Sequence, residues 1–233
     1  MKLLIDIGNT SAKIAIAKNG EIVHFERLAE SWQSAFVRII QQYDIKSIRI
    51  STVAAYDSEL HKAIDALNLP AIWLTAKTPC AIKGIPQGMG ADRVAADIGA
   101  YSQNAGRTTL IIDAGTCITY DLISSEGTFI GGIISPGVQL RLNAMHEHTA
   151  LLPQLYAVAT TPLMGTETKT AMLSSAVNGT RFEIEGYIRH FQRLYPDLCV
   201  FTTGGNNFSE LAEELSLKIT NDPYLLLKGL EAL

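Results

Sequence analysis

The length, composition and charge of the chain indicate a globular protein and exclude several other classes. The 233 residues are 47% hydrophobic and 18% charged, which supports a substantial core rather than intrinsic disorder. The formal net charge is -4 and no lysine or arginine cluster offsets it, so we expect no nucleic-acid partner. No apolar run reaches the roughly 20 residues that span a bilayer, and an aspartate interrupts the first apolar run. We therefore expect neither membrane attachment nor a signal peptide.

The cysteines are few and far apart. Cys80, Cys117 and Cys199 form no C-x-x-C pair and no Cys/His spacing typical of zinc sites. We therefore expect a reduced, cytoplasmic protein without a structural metal.

The first half of the chain opens with a strand, a turn and a second strand. Apolar residues lead into Asp6-Ile7-Gly8-Asn9-Thr10, and alternating apolar residues follow it. Asn19-Gly20 predicts a tight turn before a strand over Glu21–Arg27. Further on, periodicity predicts helices over Ser31–Tyr43, Ser58–Asn68 and Asp92–Asn104, strands over Ser47–Val53 and Ala71–Thr75, and a loop over Lys77–Gly90.

The second half repeats this opening. Another apolar strand leads into Asp113-Ala114-Gly115-Thr116, and Glu126-Gly127 predicts a turn before a strand over Thr128–Ser135. Asp6 and Asp113 stand 107 positions apart (113 − 6), about half the chain, which indicates an internal duplication. The remaining predicted elements are helices over Val138–Glu147, Glu167–Leu194 with a break near Asn178-Gly179, Phe208–Ser216 and Tyr224–Leu233, and a strand over Cys199–Thr203.

These patterns predict an α/β fold made of two duplicated halves. Each half combines a mixed sheet with helices, and we expect a nucleotide cleft between the halves. The boundary falls near Gly106-Arg107, which gives halves over residues 1-107 and 108-233.

The two Asp-x-Gly turns offer what phosphoryl transfer requires. A glycine after a strand exposes backbone N–H groups to an anion, and the aspartate can hold Mg2+ directly or through water. The hydroxyls of Thr10, Ser11 and Thr116 can add donors. A single turn of this kind is more often an ordinary hairpin turn, but two copies at matching places favour a phosphate-binding pair. The G-x-x-x-x-G-K-[ST] pattern of a P-loop is absent.

Two further segments carry candidate chemistry. In Gly90-Ala91-Asp92-Arg93, Asp92 is either a helix N-cap or a general base for a hydroxyl acceptor, and the spacing favours neither. Arg93 can bind an anionic group. Thr203-Gly204-Gly205 either lets the backbone approach a nucleotide or is a simple turn between a strand and a helix.

Five segments carry a resemblance to a known family. They are Asp6-Ile7-Gly8-Asn9-Thr10, Gly90-Ala91-Asp92-Arg93, Asp113-Ala114-Gly115-Thr116, Gly131-Gly132-Ile133-Ile134-Ser135-Pro136-Gly137 and Thr203-Gly204-Gly205. Their order resembles the acetate and sugar kinase, Hsp70 and actin superfamily, and within it is similar to the type III pantothenate kinases of bacteria. The resemblance implies two actin-like (ribonuclease H-like) halves and the phosphorylation of pantothenate by ATP, the first step of coenzyme A synthesis. Two alternatives stay open: a superfamily kinase with another hydroxyl acceptor, and a non-catalytic ATP-binding accessory protein.

The resemblance also implies roles for individual residues. Asp92 would accept the proton of the substrate, Asp6 would lie near Mg2+, and Asp113 would lie near a monovalent cation, K+ or NH4+. Family members are homodimers, and Thr168 would reach pantothenate across the interface. The implied ATP-binding residues are Asp6, Ile7, Gly8, Asn9, Thr10, Ser11, Ala12, Lys13 and Thr116, and the implied pantothenate-binding residues are Gly90, Ala91, Asp92, Arg93 and Thr168.

The sequence departs from the family pattern at two positions. Lys83 stands where the family usually has a tyrosine that lines the pantothenate pocket, and Ser175 stands where a glycine is frequent. Lys83 either attracts the pantothenate carboxylate or is a solvated loop residue.

Overall fold

The chain folds as an α/β protein built on two mixed five-stranded sheets. The computed structural model describes residues 1–8, 12–28, 32–53, 57–205 and 219–233, and in these ranges it contains ten strands and six helices. The chain divides into two compact units. The first unit comprises Met1–Gly106, Ile123–Ile130 and Pro223–Leu233, and the second comprises Arg107–Leu122 and Gly131–Asp222.

The first sheet has the strand order β3-β2-β1-β4-β5. Strand β1 pairs antiparallel with β2 and parallel with β4, and β4 pairs parallel with β5. The elements of this region are β1 (Lys2–Ile7), β2 (Ala12–Lys18), β3 (Glu21–Leu28), α1 (Trp32–Gln42), β4 (Ser47–Thr52), α2 (Ser58–Ala66), β5 (Ala71–Trp73) and α3 (Ala91–Asn104), joined by α6 (Leu225–Glu231) from the end of the chain.

The second sheet has the order β8-β7-β6-β9-β10 when it is read in the matching direction. Each strand of the second sheet thus has a number five higher than its counterpart in the first sheet. Strand β9 pairs parallel with β6 and β10, just as β4 pairs parallel with β1 and β5. The identical order confirms the predicted duplication. The elements are β6 (Thr109–Ala114), β7 (Cys117–Ile123), β8 (Phe129–Pro136), α4 (Val138–Glu147), α5 (Thr168–Leu194), β9 (Cys199–Gly204) and β10 (Ile219–Asn221).

Helices cover one face of each sheet, and the central strands β1 and β6 are buried on both faces because consecutive residues along them are buried. In the first unit, Leu3 and Ile5 of β1 pack in one cluster with Phe36 of α1 and Ile64 of α2. In the second unit, alternate residues of β6 and β7 pack against helix α5. That cluster contains Leu110, Ile112, Ala114, Ile118, Tyr120, Leu122, Ile184, Ile188, Leu198 and Val200.

Helix α5 has nearly the predicted bounds but is continuous where the sequence predicted a break. It runs without interruption through 27 residues, so the predicted break near Asn178-Gly179 is wrong. The Asn178 side chain donates to Ser174 Oγ at 3.1 Å and to Pro162 O at 3.2 Å, and these bonds hold it beside the helix. A glycine in a helix costs only about 1 kcal/mol, which the packing of the long helix outweighs.

Other elements follow the predictions with small differences. Helix α4 has the predicted bounds, and the loop over 77–90 contains only an isolated bridge between Lys83 and Thr128. Strand β10 was not predicted, since its three residues are too few for a periodic signal. The predicted helix over Phe208–Ser216 lies outside the described residues. Among the helices that the structure describes, none combines the length and apolar character of a membrane span.

Candidate active site

The first Asp-x-Gly turn places a buried carboxylate beside a lysine. Asp6 lies near the end of β1 with only 4% of its surface exposed, and its register partner on β2 is Lys13. Lys13 Nζ donates to Asp6 Oδ2 at 3.3 Å. The other oxygen, Oδ1, is buried and receives no hydrogen bond of acceptable geometry from the described residues. This oxygen can therefore accept a cation or a water.

Burial and two neighbouring charges shift the pKa of Asp6. Burial raises the pKa of the Asp6 carboxyl above its usual range, the Lys13 ammonium lowers it, and the negative charge of Asp92 raises it further. A Cβ on Gly90 would lie 2.5 Å from Asp92 Oδ1 and 3.4 Å from the Val53 side chain. The Val53 N–H bonds to Ile7 O, so Asp92 lies beside the end of β1 that carries Asp6. The structure thus brings together the two carboxylates that the sequence predicted as parts of one site.

Asp92 lies in the first turn of helix α3. The N-cap of this helix is Gly90, so the interpretation of Asp92 as the N-cap is wrong. Asp92 Oδ1 instead accepts the backbone N–H of Arg93 at 2.8 Å, which fixes the carboxylate at the helix start. Helix α3 packs against α6 and β4. Those contacts hold Asp92 on a rigid element.

The end of β1 also reaches the neighbouring strand. Ile7 O accepts the backbone N–H of Val53 at 3.1 Å, directly after β4. Ile7 and Ala12 are register partners, so the turn over residues 8–11 closes between them. Three of the predicted ATP-binding residues, Asn9, Thr10 and Ser11, lie outside the described residues.

The second Asp-x-Gly turn is held by a close backbone approach. Gly204 has φ of +95°, and a Cβ there would lie 2.5 Å from Ala114 O and 2.6 Å from Asp113 Oδ1. Only glycine fits this place without strain. The next residue, Gly205, donates its N–H to Ala114 O at 2.9 Å. The glycine pair thus lies against the backbone of Ala114 and the carboxylate of Asp113, at the start of the second turn.

The segment Ser135-Pro136-Gly137 holds the same turn from another direction. Gly137 donates its N–H to Thr116 O at 3.0 Å, and a Cβ on Gly137 would lie 2.3 Å from Gly115 O. Residues 135–137, which we call the support turn, therefore touch the second Asp-x-Gly turn backbone to backbone.

A hydrogen-bond network behind the support turn was not predicted from the sequence. Glu183 of α5 accepts from the Tyr120 hydroxyl at 2.8 Å and from the Ser135 hydroxyl at 3.0 Å. Arg141 of α4 forms an ion pair with the same carboxylate and donates to Pro136 O at 2.8 Å. Burial alone would raise the pKa of Glu183, but hydrogen bonds from Arg141, Tyr120 and Ser135 outweigh it and lower that pKa. The sequence contained one weak sign of this network, which is that polar residues occur within the predicted helices that became α4 and α5.

The predicted substrate residue Thr168 and Lys83, whose role the sequence left open, both lie at exposed positions. Thr168 is the first residue of α5, after the N-cap Glu167, and no hydrogen bond among the described residues joins it to the other predicted site residues. Lys83 is held through its backbone: it donates to Gly127 O at 2.8 Å and accepts from Phe129 N at 2.9 Å. Its side chain is exposed. Among the described residues no cluster of three or more His, Cys, Asp or Glu side chains could hold a metal.

Two solved structures have a fold similar to that of this chain. A Campylobacter jejuni protein proposed to be a Baf family transcriptional activator aligns with a TM-score of 0.63 and 22% identity, covering 98% of this chain and 95% of that one. A proposed 2-dehydro-3-deoxygalactonokinase from Sinorhizobium meliloti aligns with a TM-score of 0.58 and 14% identity, covering 100% and 97%. At these identities the likeness shows the fold alone. The chain has the duplicated α/β fold of the actin-like kinases.

Sequence relatives then define the family within that class. Residues 2–190 match the family described as type III pantothenate kinase. A type III pantothenate kinase of Bacteroides fragilis is 37% identical over 233 residues, which cover 99% of this chain and 96% of the relative. One of Christiangramia forsetii is 33% identical over 237 residues, covering 99% and 96%. The chain belongs to the type III pantothenate kinase family.

Proposed function

We propose that the protein transfers the γ-phosphoryl group of ATP to pantothenate, giving 4′-phosphopantothenate and ADP in the first step of coenzyme A synthesis. The observation that carries the proposal is the proximity of Asp6 and Asp92. The family match extends over residues 2–190, and both carboxylates lie within it, close enough for their charges to interact. No observation favours a non-catalytic accessory role or another acceptor.

In this proposal Asp92 is the catalytic base. It removes the proton from the primary hydroxyl of pantothenate as the oxygen attacks the γ-phosphorus. The bond from Arg93 N to Oδ1 holds the carboxylate in place. Gly90, Ala91 and Arg93 would contact the rest of the substrate, with the Arg93 guanidinium suited to an anionic group.

The phosphates of ATP would contact residues 6–13, and Thr116 would also contact the nucleotide. Lys13 contributes positive charge at Asp6, where phosphoryl transfer needs charge neutralisation. The buried Oδ1 of Asp6 fits a role in holding Mg2+ directly or through water. When bound, Mg2+ would neutralise charge on the phosphates.

Asp113 would hold a monovalent cation, K+ or NH4+. The Asp113 carboxylate and the Ala114 carbonyl both offer oxygen donors, which fit a hard cation. Asp113 Oδ1 and Ala114 O both border the position where a Gly204 Cβ would lie, at 2.6 and 2.5 Å. The cation would support the second turn next to Thr116.

We further propose that the protein is a homodimer in the cytoplasm, with Thr168 completing the site of the partner. The second unit supports this with large apolar side chains that stay exposed along 151–164. Leu151 is 92% exposed, Tyr156 72% and Met164 81%. A second copy would cover these side chains. Each of the duplicated halves, over residues 1-107 and 108-233, contains one of the two Asp-x-Gly turns.

The function is tested with purified protein, ATP, Mg2+, K+ and pantothenate. We expect equal amounts of ADP and phosphopantothenate, measured by a coupled assay and by mass spectrometry. If nucleotide binds but no phosphopantothenate forms, the acceptor assignment is wrong, and a panel of hydroxyl compounds would identify another. If no nucleotide binds, the kinase assignment itself fails.

The shared site is tested by mixing two inactive variants. In a heterodimer of Asp92→Asn and Thr168→Ala chains, one of the two sites retains both native residues. Random exchange should therefore restore about a quarter of the wild-type activity, because half of the dimers are mixed. Light scattering measures the oligomeric state. If mixing restores nothing although dimers form, Thr168 does not act across the interface.

A further inference from the structure

The Glu183 network reaches the second Asp-x-Gly turn through an unbroken series of contacts. We propose that Glu183 is a positioning residue for nucleotide binding, acting on Thr116 through the support turn. This inference rests on the proposed function, because it takes Thr116 as a contact of ATP.

The first step is the contact between the two turns. Gly137 donates to Thr116 O at 3.0 Å, and there is no room for a side chain at Gly137, because its Cβ would lie 2.6 Å from Thr116 O. Two backbones this close cannot move independently. The position of the support turn therefore sets the position of Thr116.

The second step is the attachment of the support turn to Arg141. The guanidinium donates through Nε to Pro136 O at 2.8 Å and through Nη2 to the Ser135 hydroxyl at 3.0 Å. Arg141 lies in the first turns of α4, and its backbone N–H bonds to Gly137 O at 3.0 Å. One side chain thus holds successive residues of the turn in a fixed geometry.

The third step is the carboxylate that orients Arg141. Glu183 receives donors from Tyr120, Ser135 and Arg141, so both of its oxygens are engaged. The Arg141 and Glu183 side chains are each 22% exposed, which shields the pair from solvent and strengthens it relative to an open surface pair. Burial and the neighbouring carboxylate raise the pKa of the Tyr120 hydroxyl, which therefore stays protonated and donates.

Loss of the Glu183 charge should loosen this chain of contacts from its far end. Arg141 would lose its ion-pair partner and Ser135 would lose an acceptor, so the support turn would no longer be fixed against Thr116. The predicted pantothenate residues 90–93 lie in the other compact unit. Thr168 is on α5, but it lies 15 positions before Glu183 (183 − 168) and makes none of the hydrogen bonds of this network. We therefore expect an effect on nucleotide affinity that acceptor binding does not share.

The experiment compares Glu183→Gln with the wild type. We expect the Kd of a non-hydrolysable ATP analogue, measured by calorimetry, and the KM for ATP to rise about tenfold, as loss of a charged hydrogen bond predicts. The KM for pantothenate should change by less than about twofold. Glu185→Gln is the matched control, because Glu185 lies on the same helix and pairs with Arg189 at 2.8 Å outside the network. It should leave both constants unchanged.

A second pair of variants separates positioning from stability. Replacing both charges, as Arg141→Met with Glu183→Leu, should restore much of the Tm lost in Glu183→Gln, because an apolar pair can replace a shielded ion pair. It should not restore nucleotide affinity, since this variant lacks the Arg141 guanidinium that donates to Pro136 O and Ser135 Oγ. If affinity returns together with the Tm, the role of Glu183 is only structural. Should Glu183→Gln fail to fold, Ser135→Ala tests the same contacts with an expected rise in Kd of about two- to threefold.

The outcomes distinguish this inference from the proposed function. Unchanged analogue affinity in folded Glu183→Gln overturns the inference while leaving the kinase assignment intact. If the wild type binds the analogue but does not phosphorylate pantothenate, the acceptor assignment fails, and weaker analogue binding by Glu183→Gln still supports the positioning role. If the wild type binds no analogue, both fail.

Discussion

The two Asp-x-Gly turns occupy the same place in two sheets of identical strand order, yet they differ in length. Four residues, 8–11, separate β1 from β2, whereas two residues, 115–116, separate β6 from β7. The first connection is therefore two residues longer than the second, which is a tight reversal of the chain. The two halves therefore share the strand order of their sheets but differ in the length of this connection.

The charges around the two aspartates differ as well. Lys13 lies opposite Asp6 in the hairpin, whereas β7 carries no lysine or arginine that could serve Asp113 in the same way. Asp113 Oδ1 and Ala114 O instead lie next to Gly204. A lysine-compensated carboxylate suits a crowded polyanion, and a carboxylate among carbonyls suits a single cation. The comparison teaches that equal backbone frames can be given unequal roles by a few side chains.

The largest expected effect comes from the base next to the first turn. Asp92→Asn should reduce kcat by about 10²–10⁴-fold, because the amide cannot accept the proton of the attacking hydroxyl. The affinity for an ATP analogue should stay within about twofold of the wild-type value. Steady-state kinetics and calorimetry on the same preparation give both numbers. Normal turnover would show that Asp92 only stabilises the start of α3.

The next test separates the roles of the two turns directly. Asp6→Asn should lower kcat by about 10²-fold and raise the Mg2+ concentration needed, because a metal-binding carboxylate is lost. Asp113→Asn should instead raise the K+ concentration for half-maximal activity by about tenfold and leave the Mg2+ requirement unchanged. Titration of each cation at saturating levels of the other measures the difference. Equal responses of both variants to both cations would remove the proposed asymmetry.

A smaller effect is expected from the glycine that borders Asp113. Gly204→Ala should destabilise the protein by roughly 2–3 kcal/mol, because alanine is strained at φ of +95° and its Cβ would meet Ala114 O. The Tm should fall by about 5–10 °C. Gly205→Ala is the matched control, because its Cβ would have Ala114 O at 4.0 Å as its nearest neighbour. A control that loses as much stability as Gly204→Ala would contradict the steric argument.

The sequence predicted the sheets and the first turn well, because their signals are local. Alternating apolar residues and Asp-x-Gly spacing located β1, β2, β6 and β7, and the 107-residue offset between Asp6 and Asp113 indicated the duplication. The proximity of Asp92 to the first turn came only through the resemblance, since the two are far apart in sequence. The nucleotide cleft and all of the site roles stay predictions.

What the sequence did not provide depends on contacts across long separations. Glu183 is 63 residues from Tyr120 and 42 from Arg141, and no periodic pattern links such positions. The choice of Gly90 as N-cap depends on a backbone conformation, φ −61° and ψ 143°, that many residues can adopt. The continuity of α5 reflects tertiary packing that outweighs a weak helix former. In each case the deciding interaction is non-local.

The smallest expected effect is a pH dependence of stability in the ligand-free protein. The pKa of Asp6 is raised in the folded state by burial, despite Lys13, so the folded protein binds this proton more tightly than the unfolded chain. Stability from this group is therefore lost as pH rises from the unfolded value of about 3.9 through the folded pKa. The Asp6→Asn variant has no carboxyl at this position and therefore does not lose stability through this titration. The Tm of the variant minus that of the wild type should become more positive by about 2–4 °C between pH 4 and 8.

Asp57 provides a control of opposite sign. It is the N-cap of α2, and hydrogen bonds from Leu60 N–H, then from Trp32 and Glu59 N–H, lower its pKa. Stability from Asp57 is present above the unfolded pKa and is lost as pH falls through the folded pKa. The Tm of Asp57→Asn minus that of the wild type should therefore become more negative as pH rises. Thermal unfolding in one buffer series measures both, and parallel slopes for Asp6→Asn and Asp57→Asn would refute the claim that Asp6 is held ionised at a cost to the fold.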